Sequence, residues 1–206
     1  MIYLIITTSL QTKIGIESYI QRNNRYYECI KDVLKIVQTD SSIKTIIVEN
    51  NGERKTILDE FKCDVVYTNN NQNTFRHKGV NELLDIKYVI EKYQMKNDDV
   101  IIKLTGRYRV LDDSFFKTVK NNIEKYNAFV KFFNVCTGEY LMNDSVLGFF
   151  AVQVQYLKNF QYYCLTFAEV EFAQWIREQI STNKIMQIQY LGLECCFADD
   201  LRLLIV

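Results

Sequence analysis

The 206-residue chain contains no proline. It also has no Gly/Ser-rich stretch, so nothing marks a linker, and one domain over 1–206 is expected. Histidine occurs once, at His77, and none of the six cysteines (Cys29, Cys63, Cys136, Cys164, Cys195, Cys196) forms a C-x-x-C pair. That argues against a zinc site, which needs clustered ligands, and makes reduced thiols the expectation. No apolar run approaches the roughly 18 to 20 residues that span a bilayer. The start lacks the basic segment of a secretory leader, and its apolar run breaks at Thr7-Thr8-Ser9. A cytoplasmic protein without a transmembrane segment is expected. The 25 acidic and 25 basic residues balance, which leaves no global field to attract nucleic acid or an anionic membrane. Specificity must come from a local site.

Hydrophobic patterning is well defined in the first half. Ile2 to Ile6, Lys44 to Val48, Cys63 to Tyr67 and Val100 to Leu104 are short apolar or β-branched runs that predict buried strands. Between them, Tyr26, Ile30, Val33 and Val37 recur at helical spacing. Leu83, Ile86, Val89 and Ile90 do the same within a helix over Gly79 to Tyr93. Alternating strands and helices predict an α/β fold, with a mainly parallel central sheet flanked by helices. In such sheets ligands bind beyond the carboxyl ends of the strands. Those ends carry Thr7-Thr8-Ser9, Glu49-Asn50-Asn51, Thr68-Asn69 and Thr105-Gly106-Arg107. The second half predicts a helix over Phe115 to Tyr126, strands over Ala128 to Val135 and Leu147 to Val154, and a last strand over Leu201 to Val206. Thr166-Phe167-Ala168-Glu169 has the pattern of a capping box opening a helix to Ile180.

Four segments in this order resemble GT-A nucleotide-sugar glycosyltransferases. Ile46-Ile47-Val48-Glu49-Asn50-Asn51-Gly52 is similar to the strand whose terminal acid holds the nucleotide's base or ribose. Arg76-His77-Lys78-Gly79 resembles the R-N-x-G element that approaches the pyrophosphate. Ile101-Ile102-Lys103-Leu104-Thr105-Gly106-Arg107 falls where those enzymes carry a D-x-D metal motif. With Leu191-Gly192-Leu193-Glu194 and Ala198-Asp199-Asp200-Leu201-Arg202, the pattern is similar to glycosyltransferase-like proteins of large DNA viruses and bacterial surface-polysaccharide clusters. The resemblance implies a Rossmann-like domain, with 1–110 as the nucleotide-sugar half and 111–206 as the acceptor side. It implies transfer of a sugar from a nucleotide-diphosphate donor to a glycan or other hydroxyl acceptor. The alternatives are a sugar nucleotidyltransferase and a non-catalytic nucleotide-sugar-binding module of the same fold.

The chemistry required is neutralisation of a departing diphosphate by a metal, by Arg/Lys, or by amides at a helix start. Lys78 and Gly79 lie at such a start, with Lys103, Thr105, Gly106, Arg107 and Tyr108 near the fourth strand's end. Arg107 offers a planar fork for two phosphate oxygens, or is a solvated surface charge. Gly106 allows close backbone approach or a positive φ, or simply makes a turn. Lys103 lies on one face with Ile101 and Thr105 inside a covered strand, so it needs an anion: Glu82, Asp85 or the ligand. Tyr108 either packs or stacks on a base or sugar. Thr8, Ser9, Glu49 and Asn50 suit a ribose or base, although Asn-Gly also makes an ordinary turn. His77 is more in keeping with a polar loop than with a base.

For the acid that takes the acceptor's proton, Glu171 in a helix's first turn is the first candidate and Asp144 the second. Glu169 is assigned to the helix cap. No D-x-D is present, so no metal is expected. The alternative is Mn²⁺ or Mg²⁺ held by Asp199 and Asp200, or by Asp112.

Overall fold

The computed structural model describes residues 1–11, 19–38, 40–73, 75, 77–197 and 202–206. In chain order the elements of the first half are β1 (Ile2–Thr8), α1 (Tyr19–Val37), β2 (Ile43–Glu49), β3 (Asp64–Tyr67), α2 (Lys78–Lys92) and β4 (Val100–Thr105). The rest comprises β5 (Arg109–Val110), α3 (Ser114–Asn122), β6 (Ala128–Val130), β7 (Phe149–Gln153), α4 (Val154–Asn159), α5 (Ala168–Gln179), β8 (Ile185–Gln187), β9 (Leu193–Cys196) and β10 (Leu203–Ile205).

Seven strands form the central sheet in the order β3-β2-β1-β4-β7-β6-β8. β1, β2, β3 and β4 are parallel, as their near-continuous apolar runs require of strands covered on both faces. All seven residues of β1 and all six of β4 are buried. One core lies on the face of α1 and α3, where Leu4, Ile6, Ile30, Val33 and Phe115 meet. A second lies on the opposite face, where Ile5, Ile101, Ile86, Val89 and Phe172 join α2 and α5.

Only β7 runs against its neighbours, pairing antiparallel with both β4 and β6. Its reversal matters for the site. Phe149 pairs with Leu104, so the segment entering β7 lies at the carboxyl end of β4. A three-stranded antiparallel sheet, β10-β9-β5, contains the expected last strand as β10 (Leu203–Ile205), while β5 and β9 are elements the sequence pattern did not announce.

Several expected boundaries shift. The predicted strand over Ala128 to Val135 ends at Val130, and the helix over Phe115 to Tyr126 runs from Ser114 to Asn122. The capping box at Thr166 does not form. The helix begins at Ala168 behind Phe167, which makes no side-chain cap. The amides that Thr166 and its neighbours would have contributed are taken instead by Glu171.

Gly106 closes the seam between β4 and β1. Its amide donates to the Thr7 carbonyl at 2.8 Å. A Cβ there would stand 2.9 Å from Thr8 Cγ2 and 3.1 Å from both Ile6 Cγ2 and the Thr7 carbonyl oxygen. The glycine thus serves close strand approach, and positive φ among the described glycines is confined to Gly52, Gly138 and Gly192. Gly106→Ala should cost about 1–3 kcal/mol, the range for overpacking a site that cannot relax. Urea unfolding measures this, and an unchanged midpoint would show that the seam yields.

Candidate functional site

The registers put three strand ends level, with Thr8 beside Glu49 and Thr7 beside Thr105. Beyond them opens a cleft of about 160 Å³. Thr8, Ser9 and Asn50 line it from β1 and β2, and Lys103, Thr105, Arg107 and Tyr108 from β4 and its turn. Lys78, Gly79, Asn81 and Glu82 come from the first turns of α2. Ser145 to Gly148 enter with the reversed β7, and Ala168 and Glu169 with the start of α5. Gly79 allows the two helix starts to meet: a Cβ there would be 3.0 Å from Ala168 Cβ.

Lys103 is 2% exposed. Its ammonium donates to Glu82 Oε2 at 2.7 Å, Thr105 Oγ1 at 2.6 Å and the Leu147 carbonyl at 3.0 Å. Glu82, not Asp85, is therefore the partner that burial demanded. Burial alone would raise the Glu82 carboxyl, but the Lys103 ammonium outweighs it and holds the group below the usual carboxylate range. Burial pulls Lys103 down, with Glu82 opposing.

Arg107 is held on two sides. Its Nε donates to the Cys196 carbonyl at 2.9 Å, and its guanidinium lies over the Tyr108 ring, 5.1 Å from the centroid. Tyr108 packs against Gly148, where a Cβ would come within 2.0 Å of ring atom Cε2. Tyr108 therefore both packs and lines the cleft. Lys78 and Gly79 begin the 15-residue α2, whose N-terminal amides and dipole favour an anion.

Other expected residues have different roles. Glu49 is fully buried. Its carboxylate accepts from Thr8 Oγ1 at 2.7 Å, the Leu10 amide at 3.1 Å, Asn51 Nδ2, and Arg54 at 3.1 Å. With its acceptor capacity filled inside the protein, Glu49 organises the loops around the cleft and is not part of the lining. Asn50 does line the cleft, while its Nδ2 donates to Asp85.

Glu171 also departs from expectation. It accepts the amides of Tyr163, Cys164, Leu165 and Thr166 at 2.6–3.2 Å. These bonds fix that loop, and Glu171 is absent from the cleft lining. Asp144 lies behind Ser145, held by Asn134 at 2.7 Å and the Ser145 amide at 2.7 Å. The carboxylate that does line the cleft on this side is Glu169. Burial pushes its carboxyl up, and Asp144 and Glu82 add to that. With the N-cap one residue later, at Phe167 instead of Thr166, Glu169 is on the cleft and Glu171 is against the loop. A signal for Asn81, which was missed, and for Glu82, named only as a partner for Lys103, was present: with Lys78 and Asp85 they interrupt the apolar stripe of α2 at helical spacing. Arg22, Tyr26 and Asn71 also line the cleft, with no comparable signal.

A divalent cation would require several hard oxygen donors, carboxylates foremost. The turn after β4 supplies the Thr105 hydroxyl, which already accepts from Lys103, and the cationic Arg107. Glu82 is neutralised by Lys103. The described residues contain no group of three His, Cys, Asp or Glu able to hold a metal ion. The donor set at this turn does not fit one. Asp199 and Asp200 lie outside the described residues, as does Arg76. Asp112 is engaged with the Ser114 amide at 2.9 Å. No helix among the described residues is long and apolar enough to cross a membrane.

No family model matches the chain, and no curated protein does. Solved structures match it in fold. A candidate nucleotide-diphospho-sugar transferase from Desulfovibrio desulfuricans G20 superposes with a TM-score of 0.54 at 8% identity, over 91% of this chain and 79% of that one. The fold is GT-A-like. A 4-diphosphocytidyl-2C-methyl-D-erythritol synthase gives a TM-score of 0.50 at 13% identity, over 90% and 88% of the two chains. The bifunctional IspDF of Campylobacter jejuni gives 0.50 at 9% identity, over 91% of this chain and 49% of its own. At these identities the likeness is one of fold, and the chemistry must be argued from the site.

Beneath the cleft, Asp85 is fully buried, and no cation among the described residues forms an ion pair with it. It accepts from Thr68 Oγ1 at 2.6 Å, Asn70 Nδ2 at 2.8 Å and Asn50 Nδ2 at 3.1 Å. Burial pushes its carboxyl up to about 7 despite these donors. The folded chain then keeps a proton to higher pH than the unfolded chain does. Stability from this group should therefore fall as pH rises from about 4 to about 7, by up to about 1.4 kcal/mol per pH unit. Asp85→Asn should remove that slope in unfolding measured from pH 4 to 8. Equal slopes in the two proteins would mean that Asp85 is charged throughout.

Proposed function

We propose that the protein transfers a sugar from a nucleotide-diphosphate donor to a hydroxyl acceptor without a metal at the β4 turn. The observation that carries this is the convergence of Arg107 and the start of α2 on one cleft beyond the strand ends. Arg107 and Lys78, with the α2 amides, bind the diphosphate and take up the charge that develops as it leaves. The fold likeness supports a nucleotide-diphosphate ligand. The acceptor enters from the side of Ser145 and Glu169. Its oxygen attacks the anomeric carbon as the bond to the diphosphate breaks. The proton goes to Glu169, whose carboxyl is raised by burial and so is a stronger base than an ordinary carboxylate. Thr8, Ser9 and Asn50 remain the candidates for ribose or base contacts.

The likeness to the diphosphocytidyl synthase supports a second reading, nucleotidyl transfer. The two reactions release different products: nucleoside diphosphate from sugar transfer, pyrophosphate from nucleotidyl transfer. Identifying the released product decides between them.

Arg107→Ala should weaken nucleoside-diphosphate binding by about 1.5–3 kcal/mol, the range for a hydrogen bond to a charged group. Arg107→Lys should restore part of it, because a point charge replaces a fork. Titration calorimetry on the folded variants measures both, and unchanged affinity in Arg107→Ala removes the residue from the site. Glu169→Gln should leave donor binding intact and reduce turnover about 100-fold or more. Turnover should survive excess chelator. Activity lost to chelator and restored by manganese would refute the metal-free arrangement.

A further inference from the structure

The cleft also has a wall whose polar groups can accept hydrogen bonds. Asn81, in the first turn of α2, is 8% exposed. Its Nδ2 donates to the Asn73 carbonyl at 3.4 Å, which orients the amide. Its Oδ1 is buried and has no donor among the described residues. A buried acceptor left without a donor is costly, so a ligand group that supplies one is favoured. Beside it, Glu82 Oε1 receives only long bonds, 3.3 Å from Thr7 and 3.4 Å from Thr105, while Lys103 is bound to the other oxygen. Glu169 lines the same cleft from α5.

Charge adds a second constraint. Among the described residues, four cations line the cleft, Arg22, Lys78, Lys103 and Arg107, against the two carboxylates Glu82 and Glu169. The positive excess of two among these residues matches the charge of a diphosphate diester.

We propose that Asn81, Glu82 and Glu169 form the subsite for the transferred sugar, and that it selects a neutral, hydroxyl-bearing sugar against a uronate. The sugar's hydroxyls donate to the Asn81 carbonyl oxygen and to Glu82 Oε1. A uronate carboxylate would meet acceptors and like charges, and discrimination then comes from repulsion as much as from attraction. This rests on the reading of the cleft as a nucleotide-diphosphate-sugar site.

Titration calorimetry with matched pairs tests it: UDP, UDP-glucose and UDP-glucuronate, then GDP, GDP-mannose and GDP-mannuronate. For whichever nucleotide binds, the hexose conjugate should bind at least about tenfold more tightly than the uronate. Asn81→Ala should lower hexose-conjugate affinity about tenfold and leave that of the bare nucleoside diphosphate unchanged. Glu169→Gln should narrow the hexose-to-uronate ratio without weakening the hexose conjugate. Equal or tighter uronate binding overturns the proposal. So does an Asn81→Ala variant that weakens the bare diphosphate and its hexose conjugate alike. If neither nucleoside diphosphate binds, the donor reading fails and the subsite falls with it. If the diphosphate binds and the sugar pairs are indistinguishable, only the subsite fails.

Discussion

The ion pair between Lys103 and Glu82 is the constraint on which the cleft depends. A lysine at the centre of a covered parallel strand cannot remain charged there without an anion in contact. Glu82 supplies it from the second turn of α2 at 2.7 Å, and Thr105 and the Leu147 carbonyl take the remaining protons of the ammonium. This one group therefore ties together β4, α2 and the segment entering β7. Truncating either partner would leave a buried charge uncompensated, which is why the pair sets geometry more than it adds net stability. The start of α2 faces the strand ends because its fifth residue is anchored in this way.

The reversed β7 does the equivalent for the other half of the chain. A fifth parallel strand would enter the sheet at the far edge and leave the carboxyl side open. Running antiparallel, β7 delivers Ser145 to Gly148 to the end of β4, with Thr105 donating its amide to the Gly148 carbonyl at 2.8 Å. Gly148 then leaves room for the Tyr108 ring, and that ring supports the Arg107 guanidinium. The small β5–β9 ladder fixes Arg107 from behind through the Cys196 carbonyl. Its guanidinium is thus positioned before any ligand arrives, which is the condition for fixed charge to lower a barrier without reorganising.

What the sequence disclosed follows from which forces are local. β1, β4 and the inner face of α2 are set by runs and periods a few residues long, and they were legible. The need of Lys103 for an anion was legible from alternation alone, because Ile101 and Thr105 fix its face. β5 and β9 were not, because a two-residue strand has no period and exists through its partner. The surroundings of Glu169 and Glu171 were not legible for a related reason. The sequence pattern at Thr166 satisfies the local rule for a cap, but the loop before α5 wraps its amides around Glu171 instead. That shifts the helix start and turns Glu169 to the cleft. Glu49 was recognised at the correct strand end, yet its saturation by Thr8, Leu10, Asn51 and Arg54 depends on loops that no spacing rule describes.

The distribution of charge gives the arrangement its chemical direction. A bound divalent ion concentrates two positive charges at one point and needs carboxylates to hold it there. In this cleft the positive charge is spread over side chains and a helix start, and each cation has its own mechanical support. Arg107 stands on a ring and a carbonyl, and Lys103 is neutralised where it stands. The two cleft carboxylates differ in their surroundings. Glu82 holds the lysine with one oxygen and leaves the other weakly served, and Glu169 sits in surroundings that raise its affinity for a proton. Thr105-Gly106-Arg107 thus has consequences beyond the turn itself. It puts positive charge on a protein side chain, and under the proposed reaction Glu82 and Glu169 are the acidic groups left to meet sugar and acceptor.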